Sequence, residues 1–360
     1  MGTATINLKA AASNLPDRST KGTVMLVLDD TLEGIEKYNR KKAVSNDLEP
    51  SNKKLIYKMY DMFNPAVVKV VCYDSSNSET IATALEKIDG VKFNYLACPT
   101  ATLQDDKKLI ADFIEEQKRN KNYTVKACLN NYQADSEDII SNYINTITID
   151  GETVSGAVFA VYHACMRATC GTKQSLGNKI LDKVTAVTLI DDSKSKDPES
   201  IADMGHVGVV YDNDFEKFVL TDDVNTKITI NYDTENDLLK DARAAEILCM
   251  IQDDLKMDFK SNWSDKLGNS YSARKKYCDD TNSTYFKNLM RNGTLNPDMP
   301  NKYELNLEKT REYLETNLHV DTTDMTDDEI LAYDIGGKVF TRIRVYILQN
   351  MKELVVDLEY

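Results

Sequence analysis

The 360-residue sequence contains three histidines, His163, His206 and His319, far apart and without partners at metal-ligand or catalytic-triad spacing. His163-Ala164-Cys165 with Cys170 offers metal-binding atom types, but the apolar run around it reads as a packed helix, so no metal is expected there. Residues 171–179 (GTKQSLGNK) faintly resemble a phosphate loop. Five residues separate the two glycines, however, and Asn178 stands between Gly177 and Lys179, which is not the spacing that lets successive backbone amides cradle a phosphate. Gly205-His206-Val207-Gly208 lacks the dinucleotide-binding glycine spacing and reads as a turn into a strand. Asp29-Asp30 directly follows an apolar run, where α/β enzymes often keep a catalytic or metal-binding carboxylate. The Asp-x-Asp-x-Thr phosphatase arrangement is absent, so these two residues support only an alternative reading, a phosphoester or nucleotide hydrolase. The acidic run 321–329 lacks the central glycine and terminal bidentate glutamate of a calcium loop, and reads as a short helix capped by Thr326 with Glu329 at its third position. The expectation is a protein with no catalytic residues, no cofactor and no metal.

The elements that would position such groups follow from periodicity. Runs at 24–28, 67–72, 93–98 and 125–129 are β-branched and short, as strands are, while 54–63, 78–88 and 103–118 carry apolar residues at three and four spacing, as helices do. That alternation predicts a largely parallel sheet covered by helices. A buried helix at 157–166, a strand at 184–190, a surface loop at 191–199 and a hairpin of 206–211 with 215–220 follow. Beyond Val224 the pattern changes in kind. A strand at 227–231 precedes a long helix at about 235–259, opened by a capping-box-like Thr234 and Asp237, and a second helix runs from about 272 to 290. Residues 339–348 alternate as a strand of about ten residues. Both ends are strand-like: Ile6, Leu8 and Ala10 alternate with polar residues ahead of a polar break, and Leu354, Val356 and Leu358 alternate at the other terminus. The predicted organisation is an N-terminal arm (1–20), a mixed β-α-β outer domain (21–225), an α+β domain (226–349) and a C-terminal arm strand (350–360).

Composition narrows the function. About 42% of residues are apolar and 28% charged, with 44 Lys plus Arg against 58 Asp plus Glu, a net charge of −14. Nucleic-acid backbones require concentrated positive surface, and here the basic residues are spread along the chain, so no nucleic-acid partner is expected. The longest apolar run is too short for a bilayer, which takes about 20 residues, and the first residues lack a secretory pattern, so a cytosolic origin without membrane association is expected. The seven cysteines are odd in number and lie mostly in apolar runs, as reduced core residues do.

One resemblance covers nearly the whole chain. A hairpin runs into Asp223-Val224-Asn225-Thr226, then a helix carries Arg243 and Asp253-Asp254; Leu267-Gly268-Asn269-Ser270 and Arg274 precede a second helix ending near Leu289 and Gly293. Residues 125–130, 134–142, 154–157 and 175–178 follow suit in the first half. In their order and spacing these resemble the contractile tail sheath proteins of bacteriophages and phage-tail-like bacteriocins, nearest the PBSX-like kind of Gram-positive bacteria. The start, Thr3-Ala4-Thr5-Ile6-Asn7-Leu8, departs from the Pro-Gly opening common in that family.

The resemblance implies a structural, non-enzymatic protein that polymerises with itself as a helical sleeve and partners a tail tube protein, baseplate proteins and tail terminator proteins. It also implies assembly in the bacterial cytoplasm followed by residence in a phage tail or released bacteriocin. A metastable extended state would contract without ATP and drive the tube through a cell envelope. The terminal strands would be lent to neighbouring copies, with Ile6, Leu8, Ala10, Leu354, Val356 and Leu358 flanking an acceptor strand that carries Val339, Ile343, Val345 and Ile347. Lys240, Arg243 and Lys256, read as one charged stripe on the long helix, are the expected tube-facing residues.

Overall fold

Strand β1 (Thr23–Asp29) is buried on both faces: Val24, Leu26 and Leu28 enter one hydrophobic cluster, Met25 and Val27 another. A strand of this kind requires helices on each side of its sheet. The computed structural model describes residues 22–351, and these divide into two compact units at Met250/Ile251.

In the first unit, β1 is followed by β2 (Ile35–Tyr38), α1 (Pro50–Met62), β3 (Val67–Tyr73), α2 (Ile81–Lys87), β4 (Tyr95–Ala97), α3 (Gln104–Lys121), β5 (Lys126–Asn130) and β6 (Ile139–Asn142). Then come β7 (Ile144–Ile149), β8 (Glu152–Ser155), α4 (Gly156–Cys170), β9 (Val184–Leu189), α5 (Pro198–Asp203), β10 (His206–Val207), β11 (Val209–Asp212) and β12 (Lys217–Leu220). The main sheet has the order β10-β6-β5-β4-β1-β3-β2, parallel throughout except for β2 against β3. Residues of α1 and α4 share the cluster on one face, and those of α2 and α3 the cluster on the other. A second, antiparallel sheet, β8-β7-β9, adds Ile144, Ile147, Ile149, Val184 and Leu189 to the α4 side.

The two sheets and α4 meet where the backbone must come very close. The Asn130 side-chain amide donates to Asn142 Oδ1 (2.8 Å) and to the Ile144 carbonyl (2.7 Å), while Asn142 Nδ2 donates to the Leu129 and Gly156 carbonyls. A Cβ at position 156 would collide with the Ile144 carbonyl and the Asn130 amide, so the first residue of α4 has to be glycine. At the other end of β5, Lys126 is fully buried against Asp138 (2.8 Å). Burial alone would raise the Asp138 carboxyl, but the ammonium groups of Lys126 and Lys118 hold it below the usual range.

The second unit takes over within α6 (Ala242–Asp258). A π-turn (Phe259–Trp263) follows, then α7 (Tyr271–Asp280), a π-segment (Thr281–Phe286) and α8 (Lys287–Arg291), which together form one helical run ending at Asn292-Gly293. β13 (Lys302–Leu305), α9 (Leu307–Asn317), α10 (Asp327–Ala332) and β14 (Thr341–Arg344) complete it. Its core is aromatic: Trp263, Tyr303 and Phe259 surround Tyr277 at centroid distances of 5.0, 5.5 and 5.7 Å. Ser270 caps α7, and Arg274 on its first turn donates to the Leu331 and Tyr333 carbonyls at the end of α10. Thr326 and Glu329 form the reciprocal cap of α10 that the sequence predicts.

Several expectations are corrected. The units part at Met250/Ile251 rather than 225/226, because residues 223–245 are bonded into the first unit. Residues 227–231 form no strand: the Ile228 and Thr229 amides both donate to Asp135 Oδ1, which leaves no ladder to join. The Thr234/Asp237 cap is not used, since Asn236 caps a 3-10 turn (Asp237–Lys240) and Asp241 Oδ1 accepts from Ala244 N at the true helix start. The predicted first hairpin strand is two elements, β10 in the main sheet and β11 in a hairpin with β12.

Two outcomes are expected. Gly156→Ala should lower unfolding free energy by about 2 kcal/mol or more, measured by urea denaturation, because neither the Ile144 carbonyl nor the Asn130 amide has room to yield. Burial, helped by the Arg167 charge, pushes the His163 imidazole down to about 4, and burial does the same to His206. The unfolded chain protonates these groups near pH 6.5, so it binds more protons than the fold as pH falls from 6.5 towards 4, and stability drops across that window. His163 Nε2 has no hydrogen-bond partner among the described residues, so His163→Leu sacrifices no bond. That variant should show a smaller fall in urea midpoint between pH 7 and 4.5 than the parent.

Candidate functional site: the open sheet edge and the residues that hold it

The carboxylates that suggested catalysis are occupied with structure. Asp30 is buried, its Oδ1 accepting from Thr31 N and its Oδ2 from Glu49 N and Asn52 Nδ2, so it ties the end of β1 to the start of α1. Asp29 Oδ1 accepts from Ser75 N. A cavity of about 540 Å³ lies elsewhere in this unit, lined by Phe63, Met166, Thr169, Cys170, Ile180 and Val184 among others but by neither aspartate. No group of three or more His, Cys, Asp or Glu suited to a metal occurs among the described residues, and no helix there is long and apolar enough to cross a membrane.

In the second unit, β13 and β14 form a two-stranded antiparallel sheet with Tyr303 opposite Ile343 and Glu304 opposite Arg342. The outer edge of β13 is closed by a side chain: Asn282 Oδ1 accepts from Tyr303 N and Asn282 Nδ2 donates to Tyr303 O, both at 2.7 Å. Because the Tyr303 backbone therefore points away from β14, Tyr303 and Ile343 are a non-hydrogen-bonded pair, and the Ile343 amide and carbonyl point outward too. No strand covers that side among the described residues. Of the four acceptor residues predicted from sequence, Ile343 lies on this edge with its side chain 41% exposed, Val339 and Val345 are half-buried, and Ile347 is buried and bridges Leu295. The strand is four residues rather than about ten. Its partner stops at Lys302 because Pro297 and Pro300 bring no amide to a ladder, and Tyr346 N turns instead to Asn301 Oδ1. The arm residues Ile6, Leu8, Ala10, Leu354, Val356 and Leu358 lie outside the described residues.

The expected basic stripe is dispersed. Lys240 belongs to the 3-10 turn ahead of α6 and pairs with Asp237 at 2.9 Å. Arg243 is only 4% exposed and donates from Nε to the Thr172 carbonyl, so its charge faces the inside of its own unit, which corrects its assignment as a tube-facing group. Lys256 is half-buried in the second unit. Sequence periodicity shows which residues share a helix face, but not that a loop, here 171–178, packs over it.

That loop is held by the most heavily bonded side chain in the Asp223–Thr226 motif. Arg167 Nη1 lies 2.7 Å from both Asp223 oxygens, and Oδ2 also accepts from Ser175 Oγ and Leu176 N at 3.0 Å. The Asp223 carbonyl receives Ala242 N at the start of α6; Asn225 bonds the 239–240 backbone, and Thr226 bonds the Ser136 and Ile139 carbonyls. The stretch resembling a phosphate loop is thus the clasp of a buried carboxylate. Burial would push Asp223 up, but the guanidinium and the Leu176 amide hold it below the ordinary carboxylate range. Asp223→Ala strands Arg167 in the interior, and the expected loss is about 3–5 kcal/mol in urea unfolding, with α6 amides exchanging faster in hydrogen-exchange measurements.

No protein-family model matches the sequence. A curated tail sheath protein of Clostridium phage phiCD119 is 22% identical over 97% of this chain and 96% of its own length. The sheath tail protein Lin1278 from Listeria innocua superposes with a TM-score of 0.67 at 14% identity, over 96% of this chain and 99% of that one. A subunit from the contracted helical sheath of the anti-feeding prophage gives 0.67 at 12% identity, over 99% and 98%. The chain thus shares its fold with solved contractile tail sheath proteins, and its sequence is similar to a curated one over nearly the whole of both chains.

Proposed function

We propose that this protein is the sheath subunit of a contractile tail, polymerising with copies of itself as a helical sleeve around a tail tube. The observation that carries the reading is the match to a tail sheath protein across 97% of this chain and 96% of that protein. The anti-feeding prophage structures, a contracted helical sheath and a baseplate, support self-assembly and an end contact with baseplate proteins. A tube protein and a tail terminator are the further partners, and the particle is assembled in a bacterial cytoplasm.

The physics follows from the open edge. A terminal strand on a polar tether leaves its own body and adds to the sheet of another copy, and such a head-to-tail contact does not close on itself. Repeated with a rise and a rotation, it gives a tube. About five backbone hydrogen bonds per donated strand, each about 1 kcal/mol net, hold neighbours while the tethers bend. The same mesh therefore admits an extended packing trapped during assembly and a contracted one of lower free energy, and passage between them needs no nucleotide. The hydrolase reading has no comparable support, since both aspartates are spent on the β1 terminus.

Deletion of residues 349–360, or of residues 1–12, should leave a soluble protein with the parent's circular dichroism spectrum that forms no tubes in negative-stain electron microscopy. Sheath-like tubes from either deletion would count against shared arms.

A further inference from the structure

Two features of the α/β unit are left unused by its own fold: the cavity beside α4 and the tip of the β11–β12 hairpin. The cavity, about 540 Å³, is within the range of sites that enclose a ring or a small ligand, and its floor is apolar, with Ile149, Phe159, Met166 and Val184 buried there. Its rim is exposed and carries Lys179, Ile180 and Lys183. Lys183 lies 3.7 Å from Asp150, whereas Lys179 has no carboxylate within ion-pair distance among the described residues. The two acids of the lining already have cations, Asp61 with Lys41 and Asp182 with Lys217.

In the hairpin, Val209 and Leu220 stand on one face and enter the core. The same face continues outward as Tyr211 and Phe218, whose rings meet edge to face at 5.4 Å and stiffen the stalk. At the tip, Asp212 Oδ1 accepts from Asp214 N (2.8 Å) and Phe215 N (3.0 Å), which fixes the turn and leaves Phe215 54% exposed. Asp214 and Glu216 flank that ring, both exposed and without a cation within ion-pair distance among the described residues. The rim of the cavity is bonded along β12, Leu181 N to the Phe218 carbonyl at 2.8 Å and Leu220 N to the Lys179 carbonyl at 3.0 Å, so stalk and cavity wall are one stiff piece. An aromatic ring held out in water on a fixed turn is a loss for a lone subunit and an anchor for a partner.

Resting on the sheath reading above, we infer that Phe215 of one copy enters this cavity of another, its ring against Phe63, Phe159 and Met166, with Asp214 and Glu216 on the rim lysines, Lys179 foremost. The match is of two kinds. A ring meets an apolar floor whose Met62 and Met166 thioethers adapt to it, and two unpaired acids meet a rim that holds an unpaired ammonium. Knob and cavity are different patches of one surface, so the contact is heterologous and can repeat from copy to copy. It joins body to body, needs no exchanged strand, and is therefore independent of the chain termini.

The test uses full-length chains. Asp214→Cys and Ile180→Cys, both at exposed positions that keep the ring and the floor, are made in separate chains, one of them epitope-tagged, then assembled together and treated with a short bismaleimide. The expected product joins unlike chains, with position 214 linked to position 180 or to native Cys170, which lines the same cavity and is the half-buried one among seven otherwise buried cysteines. Phe215→Ala, which spares the subunit's own packing, should need roughly tenfold more protein than the parent to form tubes in a sedimentation assay. Tubes that form at the parental threshold from Phe215→Ala, and that give no such link in the cysteine mixture, would overturn this inference alone. A link within one chain, found in dilute solution when both cysteines sit in the same polypeptide, would show the hairpin covering its own cavity and would overturn it too. Failure of the parent chain to form tubes would remove the sheath reading and this contact with it.

Discussion

A backbone amide and carbonyl have to be hydrogen-bonded somewhere, and in the β13–β14 sheet one edge has been dealt with and the other has not. Asn282 closes β13 with a side-chain amide that imitates a neighbouring strand. Nothing described does the same for β14, where the outward-facing groups of Ile343 lie beside an exposed apolar side chain. An edge of that kind is an aggregation hazard for a monomer and a joint for a polymer. In the proposed sheath, the asymmetry between the two edges would give each copy one acceptor and growth a direction.

A joint of this sort transmits force only if the units it links are stiff. Both are built for that. In the α/β unit, helices cover both faces of a seven-stranded sheet, and the carboxylates of two buried ion pairs, Lys126–Asp138 and Arg167–Asp223, each accept from a further donor, Lys118 and the Leu176 amide. Such pairs add little net stability but permit few alternative packings, and losing either partner is costly. In the second unit, the stacked rings around Tyr277 and the Arg274 bonds to the end of α10 lock helices of differing pitch against the sheet. Motion in an assembled sheath is then carried by the tethers and by contacts between copies.

Much of the fold was legible in the sequence for one reason: strands buried on both faces write continuous apolar runs. That is why β1 and β3 were placed to within a residue, and why the apolar stretch of α4 read as a buried helix. β2, β6 and β8 were not seen because each is four residues long, and β6 owes its place to the Asn142 amide rather than to any period. The stretch 227–231 alternates like a strand but is captured by the Asp135 side chain, a tertiary contact that no local pattern announces. The Asp223–Thr226 motif was recognised without its reason, which is a buried carboxylate clasped from three segments. Arg243 shows the same limit: helical spacing gave it a face, and a loop far back in sequence decided that the face is covered.

The claim on which the account turns is that the β14 edge is filled by another copy. A side-chain-resolution helical reconstruction of the assembled particle measures this directly, by tracing the backbone that lies beside residues 341–344. The account predicts a strand there whose density runs into a different subunit. A bare edge, or a strand that connects to the same subunit's Met351, would contradict it.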